Sequence, residues 1–371
     1  MLNLAIFLDT FNETNGVAIT YRYYSEWNEK YKKTKTIIFS ISDKDDTKVK
    51  EFTKIFLIKP YLKFKFPLYT DQILGLPPIK KIKKILIENN INMLLITDPG
   101  PVGLVGIYLA KKLNIPVFCF YHTRFEKLAR IYGMRYGGKP LSITFSKFSN
   151  LLHRITYRDS KGIFVQSTAI KSDLTKFTDS PLINLPIGID RTIFKPLKNI
   201  ENEKNVIAYV GRIAIEKNIG IILQILPFLR LMGIELLLIG DGPYRKKIEK
   251  MFGIKVTGFV KQNLIPQLLE SCAALIFPSL IDTVGNVVFE AISMGLPVIV
   301  AKGTPIADII KEHGFGVEFD GQKPLDLLKA IIFLLNNRNK YANKITEKSK
   351  DLFSYNSTFD EMIKIMNSYI N

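Results

Sequence analysis

The chain has 371 residues, 47% of them hydrophobic, so it can bury a sizeable core and wholesale disorder is excluded. Its two cysteines, Cys119 and Cys272, sit in apolar surroundings and read as small core hydrophobes, which excludes a disulfide framework. The formal net charge is +18, and residues 1–190 carry 29 Lys+Arg against 16 Asp+Glu; this excess points to an anionic partner, phosphate or an anionic membrane surface, or else to a lysine-biased composition.

The chain opens MLNLAIFLDTF. No basic segment precedes the apolar run, which argues against a signal peptide, and Asn3–Leu8 reads as a first buried strand. No later stretch offers the ~20 uncharged apolar residues of a transmembrane helix. Further strands are predicted at Lys35–Ser40, Ile55–Leu57, Met93–Thr97, Val117–Tyr121 and Gly162–Gln166. A second series follows at Val206–Val210, Glu235–Ile239, Ile254–Thr257, Ala274–Phe277 and Pro297–Val300. Most are continuous aliphatic runs, the mark of parallel strands covered on both faces. Helical periods lie between them at Gly16–Lys32, Ile79–Asn89, Pro101–Leu113, Ile219–Met232 and Pro243–Met251. The alternation predicts an α/β chain with parallel sheets. The series restarts near 205, after the Pro-rich, charged stretch NLPIGIDRTIFKPLKNIENEKN. The expected domains are 1–190 and 200–350. A terminal helix within 351–371 is a candidate to cross back to the first domain.

Ligands of open parallel sheets bind beyond the carboxyl ends of the strands. After the first strand, Asn12-Glu13-Thr14-Asn15-Gly16-Val17 is a polar turn with Gly16 at a helix start, where backbone N–H groups can approach a phosphate. Val117–Tyr121 runs into His122, one of three histidines, placed either for a ligand or for a structural role. After Val206–Val210 come Gly211-Arg212 and Glu216-Lys217-Asn218. Two cations five residues apart before a helix N-terminus suit an anion, and a solvated loop is the alternative. Gly240-Asp241-Gly242-Pro243 reads as structural punctuation. After Ala274–Phe277, Asp282 and Thr283 can cap a helix beginning near Gly285. On that helix Asn286, Glu290 and Ser293 share one face among apolar neighbours. Glu290 then either faces a ligand's hydroxyls or is an ordinary exposed acid. No Cys/His spacing suits zinc, and no P-loop or nucleophile elbow occurs. The Asp43-Lys44-Asp45-Asp46 run reads as a solvated loop.

Taken together, NGVA, YHTRF, STAIKSDL, LPIGIDRTIFKP, VGRIAIEKN, IGDGP, VTGFV and FPSLIDTVGNVVFEAISMGLPVIVAKGTP resemble family 4 of the retaining nucleotide-sugar glycosyltransferases. The resemblance runs in order from about residue 5 to 310. It implies the GT-B fold: α/β, with two Rossmann-like parallel-sheet domains facing a cleft. It implies that Arg212 and Lys217 hold the donor diphosphate and that Glu290 binds the nucleotide ribose. Asp282, where the family usually has Glu, would meet the donor sugar, as would His122. Backbone at Gly285, Asn286 and Val287 would hold the donor from the helix N-terminus. Gly16 would bring backbone close to the diphosphate, and Thr257 and Gly258 would flank the base. No metal and no cofactor beyond the nucleotide-sugar, UDP-linked by default, is expected. Val284 stands where Phe is common, which loosens the wall beside the phosphate.

YHTRF with DTVGNVVFEA looks most like the branch that glycosylates diacylglycerol or phosphatidylinositol lipids. The expected partners are therefore a nucleotide-sugar, a lipid acceptor and an anionic membrane surface, with the enzyme peripheral on the cytoplasmic face. The helix IKKIKKIL, residues 79–86, has an apolar face flanked by lysines. It can lie on a membrane or pack against the sheet. The stretches 59–68, 132–139 and 142–157 add aromatic and basic character. The rival readings are assembly of a cell-surface polysaccharide, a non-transferring relative such as an epimerase, and a nucleic-acid binder. The last rests on charge alone, without a recognised motif.

Overall fold

The computed structural model describes residues 1–371 except 14, 67–68, 198–204, 350–351 and 371, and no side chain between 64 and 73. Thr14 of the polar turn, Pro67 and Leu68 of the 59–68 stretch, and the middle of the interdomain stretch lie outside the described residues. The chain divides into two compact units, Met1–Leu185 with Asn356–Asn371, and Pro186–Tyr355.

The first unit begins with β1 (Asn3–Phe7), α1 (Gly16–Tyr31), β2 (Lys35–Ile41), β3 (Asp46–Val49) and β4 (Thr53–Ile58). A hairpin of β5 (Leu62–Phe66) and β6 (Tyr69–Leu76) leads to α2 (Ile79–Glu88). Then come β7 (Met93–Ile96), α3 (Pro101–Leu113), β8 (Val117–Phe120), α4 (Phe125–Tyr157), β9 (Gly162–Val165), α5 (Lys171–Leu174) and β10 (Leu182–Asn184). Eight strands form one sheet in the order β10-β9-β8-β7-β1-β2-β4-β3, parallel except for β3 at the edge. Continuous apolar runs make this possible, because helices cover both faces. Ile6, Phe39, Leu95 and Phe164 are fully buried. The helix starts follow local chemistry. Asn15 Oδ1 accepts from Ala18 N at 2.8 Å and caps α1, and α3 starts with Pro101 at its first position.

The second unit holds β11 (Val206–Val210), α6 (Gly220–Leu231), β12 (Glu235–Ile239), α7 (Arg245–Phe252), α8 (Ile265–Leu269) and β13 (Ala274–Phe277). It continues with α9 (Asn286–Ser293), β14 (Val298–Ala301), α10 (Pro305–His313), β15 (Gly316–Phe319), α11 (Pro324–Asn336) and α12 (Arg338–Lys348). Its five strands are all parallel, in the order β12-β11-β13-β14-β15, with an apolar cluster on each face. The last helix, α13 (Tyr355–Asn367), brings Phe359 against Tyr24 and Trp27, with ring centroids at 5.1 and 5.3 Å, inside the first unit.

One strand expectation fails locally. Ile254–Thr257 forms no strand; only Val256 bridges to Leu238. Gly253 and Gly258, both at positive φ, bend the chain away on either side. Of the two readings of α2, packing on the sheet is the one the structure has. Ile82, Ile85 and Leu86 are buried in the core, as a helix packed on the sheet requires.

Candidate donor site

The second unit's strand order has a reversal point. From β11 the chain steps to β12 on one side, then to β13 on the other. The loops leaving β11 and β13 therefore part at their carboxyl ends, where such sheets take ligands. Arg212 and Lys217 follow β11, and Asp282, Gly285 and Glu290 follow β13. Strand order alone brings these two segments together.

The cations carry acidic partners. Lys217 Nζ lies 2.7 and 2.8 Å from the two carboxylate oxygens of Asp282. Arg212 Nη1 donates to Glu216 Oε1 at 2.9 Å, and the Glu216 side chain is almost wholly buried. Beneath them the buried Tyr209 hydroxyl donates to the Arg212 carbonyl at 2.7 Å. Burial first, then the charges of Asp282 and Glu216, pushes that hydroxyl's pKa up, so it remains a donor. The Gly-Asp-Gly turn braces the same loop. A Cβ on Gly240 would sit 2.0 Å from the Gly211 carbonyl oxygen, so only glycine lets the two loops touch.

Gly285, not Asp282 or Thr283, is the N-cap of α9, and having no side chain it makes no side-chain cap hydrogen bond. The Asp282 carboxylate is drawn to Lys217 instead. A Cβ on Gly285 would meet Phe277 Cζ at 2.5 Å, so the glycine seats the helix start on the last residue of β13. The backbone amides of Asn286 and Val287 lie in this first turn, at the positive end of the helix dipole.

Glu290 is not an exposed acid. It is 7% exposed and accepts from Gln262 Nε2 at 2.8 Å. Burial raises its pKa to about 7; the Gln262 hydrogen bond opposes the rise and the charge of Asp190 adds to it. Ser293 is buried one turn further on, and its hydroxyl has no hydrogen-bond partner. Beside β12, Thr257 Oγ1 accepts from Gly240 N at 3.2 Å and donates to the Gly258 carbonyl at 2.9 Å. Gly258 has φ 77°, a conformation that favours glycine.

The first unit has its own reversal point, between β1 and β7. Asp9 follows β1 and Asp98 follows β7. Asp9 Oδ1 accepts from Val102 N at 3.1 Å, and a Cβ on Gly100 would touch both carboxylates. Burial first, then the Asp98 charge, holds the Asp9 carboxyl well above the usual carboxylate range. His122 follows β8. Its ring stacks on Phe120 at 3.9 Å, and its Nε2 lies 3.2 Å from the hydroxyl of buried Tyr21 on α1. Burial pushes the imidazole down to about 3, so it is neutral near pH 7. Gly16 is the first residue of α1, behind the Asn15 cap. Asp9, Asp98, Tyr21, Glu216 and Gln262 were not singled out from sequence as site residues. Position after a strand was the available signal for Asp9 and Asp98; nothing marked Tyr21 or Gln262. Among the described residues no group of three or more His, Cys, Asp or Glu is placed to hold a metal ion.

Two family models match adjoining stretches of the chain, together residues 37–352. The one described as "Glycosyltransferase Family 4" matches residues 37–192, and "Glycosyl transferases group 1" matches 190–352. The sulfoquinovosyl transferase SQD2 of Arabidopsis thaliana is 30% identical over 236 residues, 59% of this chain and 44% of that protein, so the match spans under half of that relative. The alpha-monoglucosyldiacylglycerol synthase of Streptococcus pneumoniae is 25% identical over a 385-residue alignment, covering 95% of this chain and 83% of that one. HepE of Anabaena, solved in complex with UDP, superposes with a TM-score of 0.71 at 16% identity, covering 99% of this chain and 100% of that chain; at this identity it speaks for the fold. The chain belongs to glycosyltransferase family 4 and has the GT-B fold.

Proposed function

We propose that this glycosyltransferase moves a sugar from a UDP-linked donor to a membrane lipid acceptor such as diacylglycerol, with retention and without a metal, at the cytoplasmic face of a membrane. The observation that carries the donor half is the meeting of Arg212, Lys217 and the glycine-led start of α9 at the reversal point of the second sheet. Breaking the anomeric C–O bond builds negative charge on the leaving diphosphate. Two fixed cations and a helix N-terminus stabilise that charge, and each preorganised donor of this kind contributes roughly 3–4 kcal/mol. The acceptor oxygen bonds to the anomeric carbon on the face the diphosphate leaves. The leaving phosphate oxygen takes the acceptor's proton.

In this reading the arriving diphosphate competes with Asp282 for Lys217 and with Glu216 for Arg212. Asp282, released, turns to the sugar hydroxyls. Glu290, ionised, accepts from the ribose hydroxyls, and Thr257 and Gly258 flank the base. The lipid acceptor is supported by the name of the alpha-monoglucosyldiacylglycerol synthase, and UDP by the ligand of the HepE complex.

The test is a panel of nucleotide-sugars incubated with a membrane lipid extract, with products read by mass spectrometry, with and without EDTA. A UDP-sugar should yield a glycosylated diacylglycerol in both conditions. Glu290→Ala should abolish turnover while the fold persists. Turnover only with soluble glycans, inhibition by EDTA, or a trapped covalent glycosyl-enzyme would each overturn the corresponding part.

A further inference from the structure

The helix α4 is two legs joined at Gly137 and Gly138, whose backbone is not helical. The leg after the kink inverts the usual amphipathic rule. Apart from Tyr157 at its end, its buried positions carry Ser142, Ser149, His153 and Thr156, while Phe148, Leu151 and Ile155 face outward, 61, 52 and 48% exposed. A surface helix ordinarily turns such residues inward. The three outward residues sit at i, i+3 and i+7, which makes one continuous stripe. Lys147, Arg154 and Arg158, at i, i+7 and i+11, run along one side of it. From Lys127 to Arg158 the sequence has seven Lys+Arg and no Asp or Glu. Before the kink, Met134 and Tyr136 are likewise exposed.

We propose that this leg of α4 is the segment that docks the first unit onto an anionic lipid bilayer. Phe148, Leu151 and Ile155 enter the acyl boundary, and Lys147, Arg154 and Arg158 lie at the phosphate level. An apolar stripe with a cationic flank is what a helix lying in the interface needs, and the Arg158–Asp159 pair at 3.8 Å, fully at the surface, is weak enough for lipid phosphate to displace. The leg does not cross: among the described residues no helix is long and apolar enough to span a membrane. A second copy of the chain is the poorer occupant, because a two-fold contact would set the same cations against themselves. The proposal rests on the lipid-acceptor reading for its purpose, and it replaces α2, whose apolar face is buried, as the membrane-facing helix.

The experiment is co-sedimentation of the full chain with phosphatidylglycerol/phosphatidylcholine vesicles and with phosphatidylcholine vesicles. Wild type should pellet with the anionic vesicles only, and less as salt rises. Lys147→Glu, Arg154→Glu and Arg158→Glu together should weaken partition by roughly fivefold or more per charge. Phe148→Glu with Leu151→Glu should abolish it. These residues are exposed, so melting temperature and UDP binding should hold. Activity on detergent-dispersed diacylglycerol, measured in parallel, should survive in both variants while activity on vesicles falls. Unchanged vesicle binding in the variants, or equal wild-type binding to both vesicle types, overturns the docking surface. So does a wild-type dimer in sedimentation equilibrium that the same variants dissolve. Wild-type vesicle binding without turnover of any lipid overturns the acceptor reading and leaves the surface standing.

Discussion

At the scale of single residues, Glu290 is the position where stability and function pull apart. Burial raises its carboxyl to about 7 from an ordinary 4.5. The folded chain therefore holds this proton over a window in which the unfolded chain has lost it. Stability falls as pH climbs through that window, is unaffected below it, and carries the full deficit above it. Glu290→Gln keeps the acceptor oxygen for Gln262 and removes the charge. It should match wild type near pH 4 and be more stable near pH 8 by on the order of 3 kcal/mol, read by urea unfolding. Equal midpoints at pH 8 would show that the carboxylate is not held in this way. The proposed ribose contact has the opposite sign: UDP should bind more tightly as pH rises through 7, a trend calorimetry can follow. The acids and cations here were legible in the sequence as residue types after strands. Their pairings were not. Asp282 lies 65 residues from Lys217, and the two meet only because β13 lies beside β11.

At the scale of elements, the start of α9 depends on one missing methyl group. Gly285→Ala would place a carbon 2.5 Å from Phe277 Cζ, and the helix N-terminus must shift to make room. A displacement near 1 Å at a reacting site can cost ~100-fold, so kcat/KM for the donor should fall by up to that factor. Steady-state kinetics check this, and an unchanged value would remove α9 from the donor site. The sequence showed this helix and most strands because their apolar runs are continuous. It did not show α4 as an element. Gly137, Gly138 and Pro140 interrupt the helical period, and the later leg points its apolar residues outward, so periodicity misreads its inner face. For α2 the apolar stripe was visible, but stripe alone does not say whether sheet or membrane covers it. Burial of Ile82 and Leu86 decides for the sheet.

At the scale of the whole molecule, two parallel α/β sheets were legible because βα alternation constrains the fold so strongly. The edge strands were less so: β3 is a four-residue strand, exposed throughout, and reads as loop. Phe359 ties the end of the chain to the first unit, between Tyr24 and Trp27, and is buried. Phe359→Ala should destabilise that unit by about 3–5 kcal/mol, seen by calorimetry as an earlier transition. The transition of Pro186–Tyr355 should stay in place. A single shifted peak for both would show that the two units do not melt separately.

The contribution of α13 also bears on synthesis. Pro186–Tyr355 is one uninterrupted stretch, whereas the other unit needs residues from both sides of it. Domains emerging from a ribosome ordinarily close from the N-terminus onward. Here the second unit has all its residues before the first does. Until the last residues are translated, the nascent N-terminal unit presents Tyr24 and Trp27 without Phe359, an aromatic surface that chaperones can hold. A message truncated just after Tyr355 would release a finished second unit on an unfinished neighbour.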